Sequence, residues 1–262
     1  MIQLLKIEWL KVNNYKAFWI FTILYLFAIL GINYTGYYIN ELAVQNVPMG
    51  ETLLGSPYSF PKVWGTVGFM SSWLLYFPGI LFIMLLTNEF NFKTHRQNII
   101  DGWTRQQFIT VKFVFALLFA VAATVFNLLV ALLFGSLTTG STFSFAGVEN
   151  VGYIFIQTLA YISFAMFLAV LFRKSGAAIA VFFLFGLIFE WLITMLINFK
   201  MDLSPIGYFL PLQVTDVMLP LPFGKEIIYK DAPALWIMVL ASLAYIAGYY
   251  FFALKKFTRE DL

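Results

Sequence analysis

Apolar residues fill six stretches of this chain, near Ala17 to Tyr38, Val67 to Thr87, Ile109 to Gly135, Gly152 to Phe172, Ala177 to Phe199 and Ala234 to Leu254, and most charges fall between them. At about 1.5 Å per residue, each stretch is long enough to cross the roughly 30 Å hydrocarbon core of a bilayer. The pattern predicts an all-α polytopic membrane protein with six transmembrane helices, and residues 1–262 read as a single membrane domain because the polar intervals are only loops. Between Phe199 and Pro233 the apolar character continues, but Pro205, Pro211, Pro220, Pro222 and Pro233 interrupt it. Proline removes a backbone donor and breaks helices, so 200–233 is expected as short outer helices or a re-entrant hairpin packed on the bundle.

Before the first span, Ile2, Leu5, Trp9 and Val12 fall on one helical face with Lys6, Asn13 and Lys16 elsewhere. Two readings fit: a helix lying in the membrane interface, or simply the start of the first span. Between the second and third spans, the polar interval 88–108 contains two capping-box patterns, Thr94 with Gln97 and Thr104 with Gln107, and Gly102 sits where a short helix would end. That segment reads either as a solvated loop or as a short helix along the membrane surface, held by a partner surface or by the interface because two turns alone are marginal in water.

Composition supports the lipid-immersed reading. The chain is 61% hydrophobic and 11% charged, against roughly 25% charged residues in an ordinary soluble domain. It contains no cysteine, which excludes disulfides, thiolate metal sites and a cysteine nucleophile. Of the 16 basic residues, Lys6, Lys11, Lys16, Lys93, Arg96, Arg105, Lys112, Arg173, Lys174, Lys255, Lys256 and Arg259 share the side that holds both termini; Lys62, Lys200, Lys225 and Lys230 lie opposite. That bias predicts cytoplasmic N and C termini, and it accounts for the net charge of +3 without a nucleic-acid partner. Tyr34, Tyr37, Tyr38, Trp64 and Tyr153 suit an outer aromatic belt.

Glu89-Phe90, then Lys93-Thr94-x-Arg96-Gln97-Asn98-x-x-Asp101-Gly102-x-Thr104-Arg105, then Lys112, set within six spans and followed by the basic tail Lys255-Lys256-Phe257-Thr258-Arg259-Glu260-Asp261, resembles the type-2 permease family of ABC transporters. The resemblance implies a permease subunit of the bacterial inner membrane that pairs with a second permease copy and rests on two cytoplasmic ATPase subunits. It implies that 88–108 carries a coupling helix, with Glu89, Lys93, Thr94, Arg96, Asp101 and Arg105 at or near the ATPase contact. ATP and magnesium would then belong to the partner, with no cofactor in this chain. The chain departs from the larger family members in having no big outer domain and no fused ATPase, which resembles the small exporters of peptides, lipids or drugs.

Residue chemistry agrees with a subunit that has no engine of its own. The only Gly-Lys pair, Gly224-Lys225, is followed by Glu226 and has Leu219 where the first P-loop glycine belongs, so it is no Walker motif. His95 is the sole histidine, which rules out zinc motifs of the His-Glu-x-x-His kind, and Ser-His-Asp catalysis within the chain is not expected. His95 is expected on the polar side of the loop helix. No catalytic residue and no metal ligand is assigned.

Within the spans, Glu190 is the clear acid, and an acid at helix centre is costly enough that it must face protein or water. Gly186, Glu190, Thr194 and Asn198 recur every four residues and mark a face turned to a helix interface. Glu190, Thr194 and Gly186, with Asn127 and Gln157 on neighbouring spans, are candidates for a translocation path or a dimer contact; for Glu190 the alternatives are contact with a cationic cargo or a gate, and protonation or hydrogen bonding between helices. Pro78-Gly79 is expected to bend the second span. The sequence thus favours the transmembrane half of an ATP-driven exporter of hydrophobic or amphiphilic cargo, with a non-transporting structural or sensor subunit of an envelope complex, or a membrane-embedded lipid-modifying enzyme, as alternatives.

Overall fold

The computed structural model describes residues 1–46, 55–219, 229 and 231–259. Pro220, Pro222, Gly224-Lys225-Glu226, Lys230, Glu260 and Asp261 lie outside the described residues. In chain order the helices are α1 (Ile2–Asn13), α2 (Lys16–Asn46), α3 (Val63–Ser72), α4 (Tyr76–Asn91), α5 (Thr94–Ile100), α6 (Arg105–Leu137), α7 (Glu149–Phe172), α8 (Ser175–Lys200), α9 (Gln213–Asp216) and α10 (Leu235–Arg259). The described residues contain no strand. Five helices (α2, α6, α7, α8 and α10) are each long and apolar enough to cross a membrane, and the pair α3 and α4, bent by 48°, supplies a sixth if counted as one span. The chain is a multi-pass membrane protein by helix length and composition.

The bend in that pair falls at 73–75, one turn before the Pro78-Gly79 site to which the sequence pointed. Pro78 has no N–H for the carbonyl of Leu74, and its ring would collide there if the helix ran straight through. Leu74 accepts instead from the Phe77 N–H at 3.0 Å. A new helix then starts at Tyr76, with Pro78 in its first turn, where the missing donor costs little.

Helix α7 is the central post: 78% of its apolar window is buried, against 17–33% for the other long helices. Its fully buried Ala160, Ser163, Ala165 and Ala169 keep it slim enough for neighbours to pack closely. Helices α4, α6 and α10 lie against it. Gly79 on α4 makes a second close approach, because a Cβ there would meet the Phe182 ring of α8. We expect Gly79→Ala to destabilise by about 1–3 kcal/mol through overpacking, read as a lowered unfolding temperature in detergent, and adding Phe182→Leu to restore it. A double variant no more stable than Gly79→Ala would refute this contact as the cause.

The two ends of the bundle differ. At one end meet α1, α5, the start of α6 and the close of α10: Arg105 donates to the Thr258 carbonyl at 2.8 Å, and the Phe108 and Phe257 rings stack at 4.7 Å. Arg173 reaches the same end, over the Phe90 ring. At the opposite end Trp64 donates to the Ser144 carbonyl and the Thr138 hydroxyl to that of Tyr58.

Helix α1 is separate from α2, divided by a turn at Asn14 and Tyr15. Its protein-facing side is formed by Glu8 and Val12, which are buried, while Ile2 and Trp9 are exposed. Leu4 and Leu5 pack beside them.

Candidate functional site

The terminal end is organised around charges that sequence periodicity does not connect. Lys112, on the second turn of α6, is buried between two carboxylates: its Nζ lies 2.6 Å from Glu8 Oε1 on α1 and in direct contact with Glu89 Oε1 on α4. Lys11 completes the group, 3.6 Å from Glu89 and donating to Asn98 Oδ1 at 3.1 Å. Asn98 belongs to α5, and its amide donates in turn to Glu89 Oε2 at 3.4 Å. Two ammonium groups thus balance two carboxylates, the arrangement under which ions are tolerated in a low-dielectric interior.

The network joins four helices, and α5 is mounted on it. His95, expected on the polar side of α5, is instead buried, its Nδ1 2.8 Å from the Glu89 carbonyl oxygen and its ring beside Phe90 and Phe257. One face of a seven-residue helix therefore carries both an imidazole and an amide into the bundle. Its ends are only partly as the sequence suggested. Thr94 is the first helical residue rather than the cap; Lys93 occupies the cap position at φ 55°, and no side chain caps the helix. The reason is local: the chain leaves α4 so tightly at Asn91 and Phe92 that a left-handed residue must reverse it, and Thr94 turns its hydroxyl back toward the Glu89 carbonyl at 3.5 Å. Gly102, at φ 100°, does end the turn, and Thr104 with Gln107 forms a complete capping box into α6.

Of the six residues assigned to the loop contact, Lys93, Thr94, Arg96 and Asp101 are exposed, Arg105 is half-buried against the end of α10, and Glu89 is buried under α5. Phe92 and Ile100 flank the charged face, 76% and 77% exposed. Beneath the helix the residues are fixed, and above it they are free of intrachain burial.

The second polar centre lies toward the opposite end. Gly186, Glu190, Thr194 and Asn198 do share a face, and π-helical turns at Phe185–Phe189 and Leu196–Lys200 flank Glu190. In a pure α-helix a four-residue repeat drifts by roughly 40° per step, and the wider π turns offset that drift. What covers the face is the chain's own broken segment. Glu190 Oε1 accepts from the backbone N–H groups of Leu212 at 2.6 Å and Gln213 at 3.1 Å. The Thr194 hydroxyl donates to the Gly207 carbonyl at 3.2 Å, and Asn198 Oδ1 accepts from the Gly207 N–H at 2.8 Å. A Cβ at Gly186 would run into the Tyr76 hydroxyl at 2.5 Å. Glu190 is thus hydrogen-bonded within its own chain, and Thr194 and Asn198 are buried beside it.

Gln157 joins this centre through Asp216, which accepts from its amide at 2.8 Å and from the Tyr161 hydroxyl at 2.9 Å. Asn127 does not: its amide donates to the Ala123 carbonyl within α6, and it faces Tyr25 on the first span. Among the described residues no group of three or more His, Asp or Glu side chains could hold a metal ion.

Glu8, Lys11, Asn98 and Asp216 were missed by sequence reasoning. For Glu8 a signal exists, since it is the sole acid among the first sixteen residues and stands four residues from both Leu4 and Val12. Asp216, one polar residue in a broken stretch, carries no such signal.

No curated protein matches this chain. Residues 53–262 match the family described as "Protein of unknown function (DUF2705)", a span that takes in α3 to α10 and with them Glu89, Asn98, Lys112, Glu190 and Asp216. The chain belongs to the DUF2705 family.

Proposed function

We propose that this protein is the permease half of an ATP-driven exporter in a bacterial inner membrane, with both termini cytoplasmic and two separate ATPase subunits docked on α5. One observation carries the reading: a short helix whose outer face presents Lys93, Arg96, Asp101 and the exposed Phe92 and Ile100, while its inner face is bolted to the spans through His95 and Asn98. A lever needs such a division. Force applied to the outer face reaches α4 through Glu89, α6 through Lys112 and α1 through Glu8 and Lys11, because displacing α5 disturbs a compensated buried network. The positive-inside bias supports placing this end in the cytoplasm, beside soluble partners. No covalent bond of the cargo changes in this scheme; a hydrophobic or amphiphilic molecule crosses where two permease copies meet, and ATP is consumed on the partner.

The test is recovery of the native complex. Affinity purification of the full chain in mild detergent is expected to bring down a soluble Walker-containing ATPase, and Arg96→Glu combined with Ile100→Glu to reduce that recovery at least tenfold, as loss of a central interface contact does. Both substitutions touch only exposed positions, so membrane insertion should be unchanged. Wild-type recovery of the ATPase by the double variant, or no ATPase with the wild-type chain, would end the proposal. An ATPase-bound complex that moves no cargo in vesicles would favour the envelope-subunit alternative.

A further inference from the structure

Glu190 and Asp216 are two acids brought together without a cation. Glu190 is 2% exposed, and the turn whose N–H groups it receives at Leu212 and Gln213 carries Asp216 in beside it, close enough for the two carboxylates to interact. Among the described residues every ion pair lies at the other end of the bundle. The titratable groups that face the two acids are all phenols: Tyr76 from α4, Tyr161 from α7, Tyr245 and Tyr249 from α10, and Tyr229 from the broken segment. A phenol ordinarily ionises near pH 10, so none of these changes charge between pH 5 and 8. The centre is also short of donors. Asp216 takes two neutral ones, the Gln157 amide and the Tyr161 hydroxyl, and Glu190 takes two backbone groups. Gln157 Oε1, borne on the same amide that reaches Asp216 and in a residue 1% exposed, is left with none. A buried acceptor without a donor is costly, and two like charges side by side in a low-dielectric site disfavour each other. One added proton relieves the repulsion and brings the centre a further donor.

We propose that Glu190 and Asp216 bind one proton between them, and that this proton fastens the broken segment to the bundle, so that the segment is gripped in acid and slackens as the medium turns alkaline. The proton belongs to the pair rather than to either residue. One negative charge remains, and it serves the N–H groups of Leu212 and Gln213. Linkage fixes the sign. In a released segment Asp216 faces water and ionises as an ordinary carboxyl, near pH 4, whereas the docked pair keeps its proton above that. Docking therefore takes up a proton. It is strongest below about pH 4 and weakens as pH rises, by at most about tenfold per unit, until the docked pair gives the proton up. The segment lies at the end of the bundle opposite the termini, so the pH of the medium on that side is the one sensed, and the device operates whether or not the chain moves a cargo.

Hydrogen exchange of the full chain in detergent from pH 5 to 8, with the intrinsic pH dependence of exchange divided out, reads the docking of 206–216. Protection there should fall at least about tenfold over that range, as the loss of one bound proton allows, while 25–33 within α2 stays level. Glu190→Gln combined with Asp216→Asn keeps both shapes and removes both titrations, and it should hold protection to within about twofold across the range. Protection that is flat or rises with pH in the wild-type chain would overturn the proposal, because two acids held charged by their donors, or by a lysine, dock better as they ionise. An equal fall at 25–33 would overturn it too, as a loosening of the whole chain, and so would a double variant that keeps the wild-type slope. The sign measured on the wild-type chain decides the matter even if the double variant does not fold.

Discussion

Replacing Lys112 with methionine should be among the most damaging single changes in this protein, lowering stability by about 3–5 kcal/mol. The substitution keeps most of the side-chain volume, so the loss is electrostatic. Glu8 and Glu89 would be left at one buried point with only the half-exposed Lys11 to offset them. Breaking a compensated buried pair costs more than the pair contributes, because the uncompensated partner remains desolvated. The corresponding fall in unfolding temperature is on the order of 10 °C for a chain of this size. Adding Glu8→Gln and Glu89→Gln to Lys112→Met removes the stranded charges and should recover most of that loss. A triple variant as unstable as the single one would show that Lys112 matters by shape alone. Under the proposed function, Lys112→Met should also loosen α5 and weaken ATPase recovery, while the triple variant, lacking the ionic mount, recovers stability without recovering that binding.

The spans were legible because lipid imposes a long, unbroken apolar run and punishes exceptions, so five of them follow from hydropathy alone, and the second appears as the bent pair α3 and α4. Their ends were less so: α2 continues to Asn46, eight residues beyond the expected stop at Tyr38, since nothing in Ile39 to Asn46 breaks a helix. Periodicity found the stripe on α8 but not its partner. Glu190 meets backbone groups, and backbone donors at 212 and 213 leave no trace in residue identity. The charge network was hidden for another reason. Glu8, Glu89 and Lys112 lie 81 and 23 residues apart along the chain, and each alone resembles an ordinary interfacial charge. Only the packing of α1 against α6 makes them one unit. His95 illustrates the same limit, because a lone histidine in a polar loop reads as solvated until Phe90, Phe108 and Phe257 are seen to close around it and its neighbours.

Glu190→Leu should release the broken segment from the bundle, whereas Glu190→Gln should largely keep it. The structure gives Glu190 one defined role, in which a single oxygen accepts from two backbone N–H groups, those of Leu212 and Gln213, at the turn that carries Asp216 inward. Leucine has no acceptor, so both donors would be buried unpaired, at about 1–3 kcal/mol each. Glutamine retains a carbonyl oxygen able to take both bonds, giving up only the added strength of a charged acceptor. Hydrogen exchange over 206–216 separates the two: strong loss of protection is expected for leucine and a modest one for glutamine. If both variants open the segment equally, a neutral oxygen is not enough, and the two backbone donors are held by the added strength of a charged acceptor. If neither opens it, the Thr194 and Asn198 contacts to Gly207 suffice alone, and the acid would be free for a role in a transport path. The leucine result carries further, because Asp216 draws Gln157 and Tyr161 of the central helix into the same assembly. Losing the Glu190 anchor should therefore also expose the Tyr161 hydroxyl, and an outer segment that detaches without disturbing α7 would limit the anchor to its own turn.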